Sequence, residues 1–322
     1  MTHPAIQPGH TAVITGSADG IGLAAARRYL ALGLNVVMAD VNADKLNAAS
    51  AGLDGGDRVM AVVTDVSDPA AVIALRDAAI ARFGPVHILM NNAGVGGGGS
   101  AIERPGHWRR LLEVNLFGVI NGVQAFGQTM IDQGLPGLII NTGSKQGITT
   151  PPGDTAYNVS KAGVKVLTEG LQHSLRNTAG CQVSAHLLVP GYTFTGMTAR
   201  GGATEKPPAA WTPDQVVDFM LVSITAGDFY ILCPDNDVDR ATDAARIRWA
   251  AEDVAAGRPP LSRWHPDHQA AFEAYMGERR KLDANWLARF NDRVAAGLDP
   301  EQDDPPTYGN GLLTGLLIGS VF

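Results

Sequence analysis

Tyr157 and Lys161 stand four residues apart in Tyr157-Asn158-Val159-Ser160-Lys161. The stretch has helical character, so both side chains leave one face of a helix. A phenol ordinarily titrates near ~10 and exchanges protons poorly at neutral pH. An ammonium beside it stabilises the phenolate and makes the tyrosine a usable general acid/base. The same pair on a solvated helix would be surface decoration. Ser144 lies thirteen residues before Tyr157, at the end of the preceding strand and loop, and can bring a hydroxyl beside the phenol. Asn115, in Glu113-Val114-Asn115-Leu116-Phe117-Gly118, is a polar residue in an apolar helix. Its own pattern fits a satisfied buried amide as well as a functional one.

A second group of residues points to a phosphate-bearing cofactor. Thr15-Gly16-Ser17-Ala18-Asp19-Gly20-Ile21-Gly22 lies between an apolar strand and a helical pattern. Glycines suit a sharp turn there and let a pyrophosphate approach the backbone without a Cβ in the way. The helix beyond offers unpaired N–H groups and a partial positive charge. Asp40 closes the second strand, where a carboxylate accepts hydrogen bonds from ribose hydroxyls and repels a 2′-phosphate; Asp19 adds to that repulsion. No Arg or Lys follows Asp40 until Lys45, so NAD(H) is favoured over NADP(H). Asp40 could otherwise serve only to cap the next helix. Asn91-Asn92-Ala93-Gly94 follows the fourth strand, where ligands bind in open α/β sheets, although the same residues also make plain turns.

The elements that must hold these residues follow a regular rhythm. Thr11 to Thr15, Asn35 to Ala39, Arg58 to Val63, Val86 to Met90, Leu138 to Asn141, Val183 to Val189 and Phe229 to Cys233 are short apolar runs. Amphipathic segments alternate with the earlier runs, including ones near Trp108–Gln133 and Ala156–Asn177. That alternation predicts an α/β fold, a Rossmann-like, doubly wound parallel sheet with helices on both faces. We place a catalytic, dinucleotide-binding domain over 1–235 and a C-terminal helical extension and tail over 236–322. Asp235 to Gly257 and His268 to Ala296 read as helical, Arg258 to Pro266 as irregular, and Asp299 to Pro306 as a linker. The apolar stretch Leu312 to Phe322 is expected to pack on the chain's own core or on a second subunit.

Composition excludes several classes. The chain of 322 residues carries a net charge of −7, which argues against nucleic acid or acidic lipid as partners. Cys181 and Cys233 are the only cysteines, too few for a disulfide framework or a cysteine zinc site, and fit a reduced, cytoplasmic setting. Met1 to His10 has no basic region followed by an apolar one, so no secretion signal is expected, and no apolar run approaches the ~20 residues of a membrane span. His265 and His268 lack acidic or cysteine partners, so no metal is expected.

Taken in order along the chain, these motifs resemble those of the short-chain dehydrogenase/reductases. The resemblance covers about Gly9 to Cys233 and includes the TGxxxGIG loop, Asn-Asn-Ala-Gly, Asn115, Ser144, Tyr-Asn-Val-Ser-Lys, and Pro190-Gly191 with Thr195. It implies an NAD-dependent oxidoreductase interconverting a secondary alcohol and a ketone. Tyr157 would be the general acid/base, and Ser144 would orient the substrate oxygen. Lys161 would lower the tyrosine pKa and bind the ribose. Asn115 would hold a water linking Lys161 to solvent. The cofactor would further touch Gly16, Ser17, Asp19, Gly20, Ile21, Gly22, Asp40, Asp65, Val66, Asn92, Ala93, Gly94, Pro190, Gly191, Thr193 and Thr195. Trp211, Tyr192, Phe194 and Met197 fall where the family closes over its small-molecule substrate, and a homodimer or homotetramer is implied.

Lys145 and Gln146 depart from the small apolar residues frequent after the family's serine, so the pocket wall there is expected to be polar. Gln146 and Tyr192, with Ser144 and Tyr157, are expected to bind the substrate. There is no Gly-x-Ser-x-Gly elbow for a hydrolase. The TGxxGxxG loop of the epimerase-like extended relatives is absent too. The rival from another class is a catalytically silent NAD(H) sensor or scaffold. A pure binder has no need of the whole proton relay.

Overall fold

In a computed structural model describing residues 3–199 and 204–279, every strand of the sheet runs parallel, in the order β3-β2-β1-β4-β5-β6-β7. The strands are β1 (Thr11–Thr15), β2 (Asn35–Asp40), β3 (Val59–Val63), β4 (Ile88–Asn91), β5 (Gly137–Thr142), β6 (Val183–Val189) and β7 (Tyr230–Leu232). Between them run α1 (Gly20–Ala31), α2 (Ala43–Ala51), α3 (Pro69–Phe83), α4 (Pro105–Leu112), α5 (Gly118–Asp132), α6 (Gln146–Thr149), α7 (Thr155–Arg176) and α8 (Pro213–Ala226). The predicted doubly wound α/β sheet is therefore the observed one.

The central strands β1, β4 and β5 are buried along their whole length because both of their faces are covered. Successive side chains point to opposite faces. Ala12, Ile14, Val36, Met38, Ile88 and Met90 enter one core, while Val13, Val37 and Leu89 enter the other. The helices start where the sequence supplies caps. Asp19 caps α1 and Asp154 caps α7, and at α8 Thr212, just before Pro213, forms a reciprocal capping box with Gln215.

One expected element differs. The apolar segment near Trp108–Gln133 is not a single α-helix. A π-helical turn, Glu113–Phe117, joins α4 to α5 and carries Asn115. The wider turn leaves the amide of Asn115 facing the backbone of Val95, where it is held from both sides. Such turns are common at functional sites.

The described residues fall into two compact units, which meet in sequence at Arg240 and Ala241. In the second unit, the residues after α9 (Arg240–Ala255) gather around Trp249, which packs on Phe272 and Tyr275. Its indole N–H donates to Ser262 at 2.8 Å, and the Arg258 guanidinium lies 4.0 Å over the ring. Asp253 accepts from the Ser262 backbone N–H at 3.0 Å and from Arg258 Nε at 2.9 Å. The stretch read as irregular, Arg258 to Pro266, thus contains a short 3-10 turn over Ser262–Trp264. None of the described helices is long and apolar enough to cross a membrane. The expected linker at Asp299 to Pro306, the tail at Leu312 to Phe322 and the end of the predicted last helix lie outside the described residues.

Candidate active site

The strand order reverses between β1 and β4, and a parallel sheet opens a crevice at the carboxyl ends of its strands at such a point. The glycine loop leaves β1 there. Gly16 takes the left-handed region at φ +63°, and a Cβ on it would stand 2.6 Å from Ala93 Cα. A Cβ on Gly22 would stand 2.3 Å from the carbonyl oxygen of Gly16. Any side chain at either position would force the turn open. The Asn-Asn-Ala-Gly segment braces this turn from β4. Asn92 Nδ2 donates to the carbonyls of Thr15 and Gly16 at 3.2 Å each, and the N–H groups of Asn92 and Ala93 reach Thr15 Oγ1 at 3.0 and 3.1 Å.

Asp40 stands at the far end of the cleft. Its carboxylate accepts from the N–H of Ala18 at 3.2 Å and of Asn42 at 3.0 Å, which ties the end of β2 to the glycine loop. Across the cleft, the loop after β6 rests on the glycine loop: Gly196 leaves room for the Asp19 carboxylate, and Gly20 for the Thr195 methyl. Thr198 locks that loop, with its hydroxyl donating to the Thr193 carbonyl at 2.6 Å and accepting from the Thr195 N–H at 2.9 Å.

At the other end of the cleft, Tyr157 and Lys161 project from the first turns of α7, which Asp154 fixes by accepting from the Tyr157 N–H at 3.1 Å. Burial pushes the phenol above its ordinary range; the Ser144 hydroxyl facing it works in the opposite direction, and the Asp154 carboxylate adds to the rise. Lys161 is buried, which pushes its ammonium down to about 8. Lys161 Nζ donates to the Thr142 carbonyl at 2.7 Å and lies 5.7 Å from the centre of the Tyr157 ring. The lysine stands beside a phenol whose pKa burial raises on balance.

The cleft brings together Gly16, Asp19, Gly20, Ile21, Asp40, Asn92, Gly94, Ser144, Tyr157, Lys161, Pro190, Gly191, Thr193 and Thr195. The other expected residues do not line it. Ser17 is fully buried and bonds the Ala39 carbonyl, while Gly22 and Ala93 shape the turn from behind. Asp65 caps its own turn through Ser67, and Val66 packs over Gly118. Asn115 spends its amide on Val95, at 2.7 and 2.9 Å, and on Ser160 at 3.4 Å, as a satisfied buried amide does. Gln146 begins α6 with its N–H on Ser144 Oγ at 3.2 Å, and Tyr192 is exposed, pairing through its backbone with Trp211. Of the four expected lid residues, Met197 lines the cleft. Thr142, Gly143, Gly196 and Thr198 line it without having been singled out. Position at a strand's carboxyl end could have flagged the first two; nothing in the sequence marked Thr198.

Glycines that admit no Cβ, the start of α1 at the cleft and a carboxylate at the far end together fit a dinucleotide. A family model described as short chain dehydrogenase matches residues 10–206. The chain belongs to the short-chain dehydrogenase/reductase family. As a member, it is an oxidoreductase of the alcohol/carbonyl type that uses a nicotinamide dinucleotide. It is 38% identical over 262 residues to 1-deoxy-11-beta-hydroxypentalenate dehydrogenase of Streptomyces exfoliatus, covering 79% of this chain and 93% of the relative. It is 35% identical over 190 residues to the NADP-dependent (R)-specific alcohol dehydrogenase of Lentilactobacillus kefiri, covering 58% of this chain and 74% of the relative. Among solved structures, a family member from Burkholderia phymatum in complex with NAD aligns with a TM-score of 0.69 at 34% identity, over 79% of this chain and 96% of that one.

Proposed function

We propose that this family member is an NAD(H)-dependent enzyme interconverting a secondary alcohol and a ketone, with Tyr157 as the general acid/base. One observation carries the reading: a single cleft holds Asp40 at one end and Ser144, Tyr157 and Lys161 at the other. The bound nicotinamide ring supplies the hydride acceptor or donor. The Ser144 hydroxyl orients the substrate oxygen, and Tyr157 takes or returns its proton. The Lys161 ammonium holds ribose hydroxyls and offsets negative charge on the phenol oxygen. The glycine loop and the N-terminus of α1 cradle the phosphates, and Asp40 accepts from the adenosine ribose.

Titrating the protein with NADH and, separately, NADPH by nucleotide fluorescence tests this without knowledge of the substrate. The expected result is at least about tenfold tighter binding of NADH, roughly 1.4 kcal/mol. Tighter NADPH binding would overturn the Asp40 argument, and no binding of either would favour the silent scaffold.

The same titration has an expected pH dependence. With Lys161 pushed down to about 8, its charge is present at neutral pH and lost as pH rises through that value. The ligand's anionic phosphates favour the charged lysine and so raise its pKa in the complex. Affinity should therefore be flat below about pH 7 and weaken above about pH 8. Lys161→Met should bind more weakly and show a flat profile over that range. A slope that survives the substitution would assign the titration to another group.

A further inference from the structure

Directly behind Ser144 stands a feature that the reaction as described does not use. Lys145 Nζ meets Asp235 Oδ2 at 3.2 Å, and the two side chains are only 18% and 7% exposed. The same Oδ2 accepts from the Tyr192 N–H at 3.2 Å. The other carboxylate oxygen accepts from Asp237 at 3.2 Å and Val238 at 2.9 Å, which holds the chain after β7 in a fixed turn. Gly191 completes the arrangement, since a Cβ there would stand 2.7 Å from Oδ2. One carboxylate thus joins three segments: the Ser144 loop after β5, the Pro190–Tyr192 loop after β6, and the chain leaving β7.

We propose that the Lys145–Asp235 ion pair is a positioning device that holds Ser144 and the Pro190–Tyr192 loop in register around the nicotinamide end of the cleft. The proposal rests on reading the cleft as a dinucleotide site. Pro190, Gly191, Thr193 and Ser144 line that cleft, and each lies within two residues of an atom the pair holds. An ionised carboxylate is required. Four donors converge on its two oxygens, whereas an amide offers a single acceptor oxygen and would turn its own N–H groups toward Lys145 or toward the Asp237 turn. The lysine is required as well, because a carboxylate this buried is costly without a cation beside it. The pair sits on the segments that follow β5, β6 and β7, whereas the glycine loop follows β1 and Asp40 ends β2, so its influence is expected at the nicotinamide end of the ligand.

The test compares two ligands. NADH spans the whole cleft, and ADP-ribose carries the adenosine and both phosphates without the nicotinamide. Lys145→Met and Asp235→Asn are each expected to weaken NADH by about tenfold, roughly 1.4 kcal/mol, while leaving ADP-ribose binding unchanged. The double variant should lose less than the product of the two, since it leaves no buried charge unpaired. If a single variant fails to fold, the double variant carries the same comparison. Equal weakening of both ligands would make the pair a general support of the fold, and unchanged NADH binding in every variant would make it idle; either result overturns the proposal. Wild-type protein that binds neither ligand defeats the dinucleotide reading itself, whereas wild-type binding with unresponsive variants defeats the pair alone.

Discussion

Tyr157→Phe is expected to lower kcat by about 10³-fold, within the range that a positioned general acid/base contributes. The Kd for NADH should move by less than about threefold, under ~0.7 kcal/mol. The two numbers separate because the substitution removes one oxygen from a half-buried ring and leaves the rest of the cleft standing. Ring packing against the start of α7 is retained, and the Asp154 cap acts on the backbone N–H of residue 157, not on its side chain. Lys161 keeps its bond to the Thr142 carbonyl, so its ammonium remains in place for the ribose. The substrate oxygen loses Tyr157, the only phenol among the described residues that line the cleft, and Ser144 is left to orient that oxygen. Turnover and nucleotide binding are measured on the same preparation, with a panel of secondary alcohols and NAD for the first. A Tyr157→Phe protein that turns over at the wild-type rate would remove Tyr157 from the chemistry. One that also loses NADH would show that the ring holds the cleft open.

The sheet was legible because a parallel strand covered on both faces is apolar without interruption, and the helices between strands show their own period. Boundaries were off by one or two residues, as at β4 (Ile88–Asn91), where hydropathy alone starts the strand at Val86. The parts that escaped the sequence depend on three-dimensional contact. Whether Asn115 is functional or a satisfied amide turns on a π-helical turn that leaves no periodic signature in five residues. Tyr157 and Lys161 advertise their pairing through spacing, but the direction of the phenol's shift is set by burial, which spacing does not report. Lys145 stood out as an unusual neighbour of Ser144, yet its partner lies ninety residues away, beyond any local pattern. Asp65 and Val66 follow the right strand but turn to their own loop and to Gly118. A motif places a residue near a site; it does not say which way the side chain faces.

Asp40→Ala combined with Val41→Arg is expected to reverse the nucleotide preference, moving the NADPH-to-NADH affinity ratio by about 10²-fold or more, roughly 3 kcal/mol. Two effects act in the same direction. Removing the Asp40 carboxylate ends its repulsion of a 2′-phosphate and its acceptance from a 2′-hydroxyl, so NADPH gains while NADH loses. Val41 is 65% exposed and follows Asp40 directly, so a guanidinium there has room to reach the phosphate and can bind it through two parallel N–H donors. Asp40 also accepts from the N–H groups of Ala18 and Asn42, and their loss is expected to lower stability by about 1 kcal/mol. For that reason the ratio of the two affinities is the quantity to measure, since a loosened glycine loop weakens both nucleotides together and cancels. Asp40→Ala alone should produce part of the shift, which separates lost repulsion from gained attraction. A ratio that stays at the wild-type value in both variants would mean that the adenosine ribose is read elsewhere, with Asp40 serving only to tie β2 to the glycine loop.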